Sequence, residues 1–260
     1  MKVVLLCGGR GVIDSDTRLR IPKCLIKIGN RPLIWHVMKL FASFGHTEFI
    51  LSLGFGGDQI RNYFLNAFEY LHDVEVSIKN REVSVLNKIP EEDWTIKLLD
   101  TGLTAHTGAR VARCQRYLNY EPFFISYSDI LSDVNINMLL KEHNEHDKLF
   151  TITGVNTPSR FGTFYFEGNS IVNYNPQAKL DMGSAKINGG FMVAKYDIFK
   201  ILSPVNECDL ETETFDKLLS QDQMHMYKHD GFWQNVDTER DVIYLQHQYD
   251  LNKRPWLGIN

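Results

Sequence analysis

Lys2-Val3-Val4-Leu5-Leu6-Cys7-Gly8-Gly9-Arg10-Gly11 is the stretch that decides the fold. An unbroken apolar run, rather than an alternating one, marks a strand buried on both faces, as in a parallel sheet covered by helices. Gly8-Gly9 ends the run, and the glycines at 8, 9 and 11 let the backbone approach a ligand and turn N–H groups toward phosphate. The next helix starts late, at about Pro32, because Leu33, Trp35, His36, Leu40 and Phe41 repeat at helical spacing. A dinucleotide fingerprint needs a third glycine opening the helix and an acid about 20 positions on. Here a long polar loop, Gly8 to Arg31, intervenes, so a nicotinamide-type site and a plain glycine turn are the weaker alternatives.

Outward from this strand the same rhythm recurs. Strand patterns at Glu48–Leu53, Thr95–Leu99 and Phe123–Tyr127 alternate with helical ones at Gln59–Phe68 and Gly108–Leu118. That alternation predicts an α/β fold: a Rossmann-like, mostly parallel sheet with flanking helices. After Phe150 the segments shorten to Thr151–Gly154, Thr163–Glu167, a turn at Gly168-Asn169 and Ser170–Tyr174, which reads as a small antiparallel addition around 151–195. Ile187–Lys195 returns to strand character, and Thr212–Gln221 and Asp237–Asn252 are helical. Residues 1–260 contain no internal repeat or linker and read as one domain.

Composition narrows the function. With 43% hydrophobic residues, 23% charged residues and a net charge of -4, the chain lacks the basic footprint of a nucleic-acid binder. Apolar runs stay well short of the ~18 residues a membrane span needs. Cys7, Cys24, Cys114 and Cys208 form no C-x-x-C pair, and Met1-Lys2, which leads straight into the first strand, does not read as a signal peptide. The expectation is a cytoplasmic protein that makes no nucleic-acid or membrane contact and binds a polyanionic small ligand at a local basic site.

Several positions can carry that chemistry. Arg18, Arg20 and Pro22-Lys23 follow the glycine loop, and a lysine there suits a triphosphate, unless the loop is merely solvated and basic. Asp129 and Asp237 both sit at strand-to-loop junctions, and two such carboxylates suffice for Mg²⁺ with phosphate and water. Alternatively, Asp237 caps the helix that Thr238 begins. Thr107-Gly108-Ala109-Arg110 opens a helix whose N-terminus suits phosphate or sugar, with Arg110 in reach of base or phosphate, or else forms an ordinary cap. Asn188-Gly189-Gly190 inside an apolar strand marks a close approach of ligand to backbone, or a bulge. His36 and His72 lack metal-ligand spacing, His143 and His146 read as a solvated helix face, and there is no G-x-S-x-G elbow.

Together these motifs resemble the sugar-1-phosphate nucleotidyltransferases, above all their cytidylyltransferase branch, over nearly the whole chain. The resemblance is carried by the glycine loop, Pro22-Lys23, Ile28-Gly29-Asn30-Arg31-Pro32-Leu33-Ile34-Trp35-His36, Leu99-Asp100-Thr101-Gly102 and Thr107-Gly108-Ala109-Arg110. Tyr127-Ser128-Asp129, Arg160-Phe161-Gly162, Ile187-Asn188-Gly189-Gly190-Phe191 and Gly231-Phe232-Trp233-Gln234-Asn235-Val236-Asp237-Thr238 extend it. It implies a GT-A-like fold, CTP and a phosphorylated sugar as ligands, Mg²⁺ as cofactor, and a homo-oligomer. The reaction it implies is in-line attack of a sugar-1-phosphate oxygen on the α-phosphorus of CTP, with positioning and charge neutralisation doing the catalysis. Lys23 would neutralise phosphate, and Asp129 and Asp237 would hold the metal. Gly8, Gly9, Arg10, Gly11, Arg110 and Ser128 would line the nucleotide, and Thr107, Gly108, Lys179, Asn188 and Gly189 the sugar phosphate.

Departures from the family pattern cluster at this site. Gly11-Val12-Ile13 stands where members carry Gly-Thr-Arg, Cys24 replaces the proline after the lysine, Ala178-Lys179-Leu180 replaces Glu-Lys-Pro, and Ser128 and Ile130 replace glycines. Arg10, Arg18 and Arg20 are the available substitutes for the missing loop arginine. A changed acceptor and a binding protein without catalysis are both open on these residues.

Overall fold

The computed structural model describes residues 1–9, 11–13, 20–66, 73–86, 92–156, 163–167, 170–175 and 186–257. Seven strands form the central sheet: β1 (Val3–Cys7), β2 (Glu48–Leu53), β3 (Thr95–Asp100), β4 (Phe123–Tyr127), β5 (Phe150–Val155), β6 (Ile187–Ala194) and β7 (Met224–His229). Their order is β7-β5-β6-β4-β1-β2-β3, and of the seven only β6 runs against its neighbours. The mostly parallel α/β sheet expected from the opening run is therefore present. Strands β5 and β6 pair with each other inside this sheet, so both ends of the expected 151–195 addition belong to the central layer. Both are apolar and largely buried, which is the signature of interior strands. Thr163–Glu167 and Ser170–Asn175 form a separate antiparallel hairpin, whose turn at Gly168-Asn169 lies outside the described residues.

Strand β1 shows why the sheet is covered on both sides. Val3, Leu5 and Cys7 join one core cluster, and Val4 and Leu6 join the other, as the two-residue period of a strand requires. Burying each of the valines and leucines contributes roughly 1.5–3 kcal/mol. The covering helices are α1 (Leu33–Ser43), α2 (Gly57–Leu65), α3 (Thr107–Arg113), α4 (Ile136–Asn144), α5 (Phe215–Ser220) and α6 (Glu239–Asp250). The helix expected over 108–118 breaks into α3 and a 3₁₀ turn at Gln115–Tyr117, and the one over 212–221 opens as a π turn, Leu210–Thr214, before α5.

Helix α4 corrects the reading of His143, and His146 lies beyond its end. His143 continues the buried stripe of Ile136 and Leu139, has no exposed surface, and shares a hydrogen bond of 2.8 Å between Nδ1 and Thr151 Oγ1 on β5. It faces the sheet, not solvent. Among the described residues no helix is long and apolar enough to cross a membrane.

Candidate active site

The chain runs β1, β2, β3 toward one edge, then crosses back to place β4 on the other side of β1. Ligands of open α/β sheets bind at the carboxyl ends of the strands beside such a switch. Gly8 and Gly9 follow β1 there, Asp129 follows β4, and a cleft of about 500 Å³ opens between Gly8, Gly9, Arg20, Phe55, Thr104 and Arg110.

The three glycines of the first loop serve three different ends. A Cβ on Gly8 would lie 2.0 Å from Arg110 Cζ, so the missing side chain makes room for a guanidinium. Gly9 has no heavy atom within 4 Å of such a Cβ and faces open space at the cleft. Gly11 holds φ +74°, a conformation that favours glycine, against the Ile21 carbonyl and the Phe55 ring. Val12–Ile13 then pairs with Arg20–Ile21, which returns Arg20 to the cleft, its guanidinium 5.6 Å from the Phe55 ring centroid. Arg10 and Arg18 lie outside the described residues.

Arg110 lines the cleft and is at the same time held by the fold. It is 4% exposed, and Nη1 donates to Leu53 O at 3.0 Å, Thr101 Oγ1 at 2.9 Å and Gly102 O at 2.9 Å, while Nη2 donates to Gly8 O at 3.2 Å. Burial, then the charge of Arg113, draws its pKa down from the ordinary value. The side chain thus clamps the ends of β1, β2 and β3 together, and its terminal nitrogens are engaged by the protein. Ser128 is also spent on the scaffold: its hydroxyl donates to Leu6 O at 2.7 Å, tying β4 to β1.

Lys23 and the two aspartates come together. Pro22 enters a 3₁₀ turn at Lys23–Leu25, anchored by buried Cys24. Nζ of Lys23 donates to Asp237 Oδ1 at 2.6 Å and stands 3.7 Å from Asp129 Oδ2. The aspartates meet because Ile130–Ser132 and Trp233–Asn235 form a two-stranded antiparallel ribbon, in which Ile130 faces Asn235 and Val236 N donates to Asp129 O at 3.0 Å. The cap of α6 comes from Thr238 and Asp241 in a reciprocal capping box, so Asp237 is not the cap and turns to the lysine instead. Burial pulls the Lys23 pKa down, but the Asp237 hydrogen bond and both aspartate charges outweigh it and the result is a rise. Burial raises Asp129, Lys23 opposes this and Asp237 adds to it, for a net rise. One ammonium between two carboxylates leaves the group net negative and rich in oxygen donors.

Asn188-Gly189-Gly190 opens β6 beside this group. Gly189 O accepts from buried Trp233 Nε1 at 2.8 Å, and Gly190, at φ +79°, leaves no room for a Cβ against Ile130 and Tyr127. Asn188 Oδ1 accepts from Gly190 N at 2.8 Å, which fixes the amide so that Nδ2 donates to Glu211 Oε1 at 2.7 Å. Thr107 and Gly108 pack on the same distant segment: Thr107 Oγ1 accepts from Leu210 N at 3.0 Å, and a Cβ on Gly108 would lie 2.9 Å from Cys208 Sγ. They brace the loop that carries Glu211. Sequence reading missed this loop, and Asp209, whose carboxylate receives Glu211 N and Thr212 N, is the cap signal that marks it. Lys179 lies outside the described residues.

The UDP-glucose pyrophosphorylase of Acinetobacter baumannii superposes with a TM-score of 0.67 over 96% of this chain and 93% of that one, at 18% identity. The fold is thereby that of the nucleotidyltransferases. Glucose-1-phosphate cytidylyltransferase of Salmonella typhi is 33% identical over 257 residues, 98% of each chain. Mannose-1-phosphate guanyltransferase of Aspergillus fumigatus is 26% identical over 94% of this chain, which spans 62% of that protein. No family model matches. The chain belongs to the sugar-1-phosphate nucleotidyltransferase family.

Proposed function

We propose that this transferase uses CTP, joining it to a sugar 1-phosphate to give a CDP-sugar and pyrophosphate. The observation that carries the reading is Lys23 seated between Asp237 and Asp129, with Asp129 just past the carboxyl end of β4. An oxygen of the sugar phosphate attacks the α-phosphorus, a P–O bond forms, and the α–β bridging bond breaks with pyrophosphate leaving. Lys23 supplies the mobile positive charge for the phosphates, and its raised pKa keeps it protonated at neutral pH. Arg20, which lines the cleft, would share that work.

Mg²⁺ fits the donor set. Asp129 and Asp237 are hard oxygen ligands, the pair is net negative even with Lys23, and magnesium takes only one or two carboxylates beside phosphate and water. The ion, when bound, supplies charge neutralisation across the phosphates. In the same reading Asn188 and Gly189 serve the sugar phosphate, as the family resemblance also implies for Lys179, Gly9 and Gly11 serve the nucleotide, and Arg110 and Ser128 hold the end of β1. Cytoplasmic action, a single catalytic domain over 1–260 and assembly into a homo-oligomer complete the proposal.

The choice of CTP draws on the cytidylyltransferase relative matched over nearly its full length. Pyrophosphate release with glucose 1-phosphate, Mg²⁺ and each of CTP, UTP, dTTP, ATP and GTP tests it. CTP is expected to lead in kcat/KM by at least about tenfold, and a lead by GTP or UTP would replace it.

A further inference from the structure

Asp209-Leu210-Glu211-Thr212-Glu213-Thr214 is a segment with no part in the roles assigned so far, yet it is firmly held. Leu210 is fully buried, the Asp209 carboxylate receives Glu211 N at 2.9 Å and Thr212 N at 3.1 Å, and Thr214 Oγ1 donates to Asp209 O at 2.8 Å. The turn therefore presents Glu211 from a fixed base. Its Oε1 accepts twice, from Tyr127 Oη at 2.7 Å and from Asn188 Nδ2 at 2.7 Å. Tyr127 lies two residues before Asp129, and Asn188 begins the glycine pair braced on Trp233, so three separate elements converge on one carboxylate at the edge of the site.

Glu211 is nevertheless unfinished as a structural group. Its side chain is exposed, Oε2 takes no donor from the described residues, and none of their lysines or arginines pairs with it. A carboxylate pinned through one oxygen by two neutral donors holds its other oxygen at a known position. It repels phosphate and accepts from hydroxyl groups. Building on the transferase reading, we infer that Glu211 is a specificity-determining residue of the acceptor side, taking a hydrogen bond from a sugar hydroxyl while Lys23 serves the phosphates. Tyr127 and Asn188 are its positioning residues.

Glu211→Gln tests this cleanly, because the amide oxygen still accepts from Tyr127 and Asn188 while the second position turns from acceptor to donor. Calorimetry is run on both proteins with CTP, with glucose 1-phosphate and mannose 1-phosphate, and with the monodeoxy analogues of the sugar that binds more tightly. Losing a hydrogen bond to a charged group is expected to weaken that sugar phosphate about 10- to 100-fold, leave CTP affinity unchanged, and leave one deoxy analogue with the same affinity for both proteins. Equal sugar-phosphate affinity in the two proteins, or CTP affinity falling in parallel, would overturn the inference. Pyrophosphate release by the wild-type protein reports the transferase reading separately from these binding results.

Discussion

Replacing Gly8 by alanine places a methyl group 2.0 Å from Arg110 Cζ, 2.3 Å from Nη1 and 2.4 Å from Nε. A flexible arginine would step aside, but this one is 4% exposed, abuts Gly54 and is held by acceptors from Leu53, Thr101, Gly102 and Gly8. Displacement must sacrifice some of these bonds. At about 1.5–3 kcal/mol for each bond to a charged group, losing two costs about 3–6 kcal/mol. In a chain of 260 residues that is a fall in Tm of about 5–11 °C. Denaturant melts of Gly8→Ala, Arg110→Ala and the double variant measure it, and the double variant should be no less stable than Arg110→Ala, because the methyl then occupies vacated space. Gly9→Ala is the control: with nothing within 4 Å, its stability should stay within about 0.5 kcal/mol of the parent while nucleotide binding weakens. Additive losses in the double variant, or a Gly8→Ala protein as stable as the parent, would refute the clamp.

Other consequences follow from the same geometry. Lys23→Met removes the ammonium between Asp237 and Asp129 and should lower kcat by roughly 10²–10³-fold with the fold intact by circular dichroism, whereas retained turnover would count against its phosphate role. Trp233→Phe leaves the Gly189 carbonyl without its partner and should cost about 1–3 kcal/mol in denaturant melts, together with a raised KM for the sugar phosphate; an unchanged KM would separate the ribbon from the acceptor side. His36, His46 and His143 are each held at about 4, burial being the leading cause. Because the unfolded chain binds these protons near pH 6.5 and the folded one does not, stability should fall as pH drops from 6.5 toward 4, by up to about 3 kcal/mol for each histidine. Urea midpoints that stay level between pH 7 and 4.5 would contradict this.

The scaffold is legible in the sequence where one physical cause dominates. The unbroken apolar run of β1 announces an interior parallel strand, and Phe123–Tyr127 followed by Asp129 announces a carboxylate at the ligand edge. Where partners are distant, the local pattern is mute. Nothing near Asp237 tells that two three-residue strands, Ile130–Ser132 and Trp233–Asn235, will carry it to Asp129. Arg110 lines the cleft, but a sequence displays its charge and not the carbonyls that also hold it. His143 reads as polar surface until the apolar stripe of α4 is seen to include it. Glu211 sits in a short acidic stretch that looks like solvated surface, and only the fold brings Tyr127 and Asn188 to it.

In the proposed function Lys23, Asp129 and Asp237 act as one group in transferring a cytidylyl unit. The most direct measurement follows the label of α-phosphate-labelled CTP into a CDP-sugar, with glucose 1-phosphate and Mg²⁺, for the wild-type protein, Asp129→Asn, Asp237→Asn and the double variant. The wild type should transfer the label, each single variant should lose on the order of 10²–10³-fold or more, and the double variant should lose little further. Transfer at the wild-type rate by Asp129→Asn, or losses that multiply in the double variant, would contradict it.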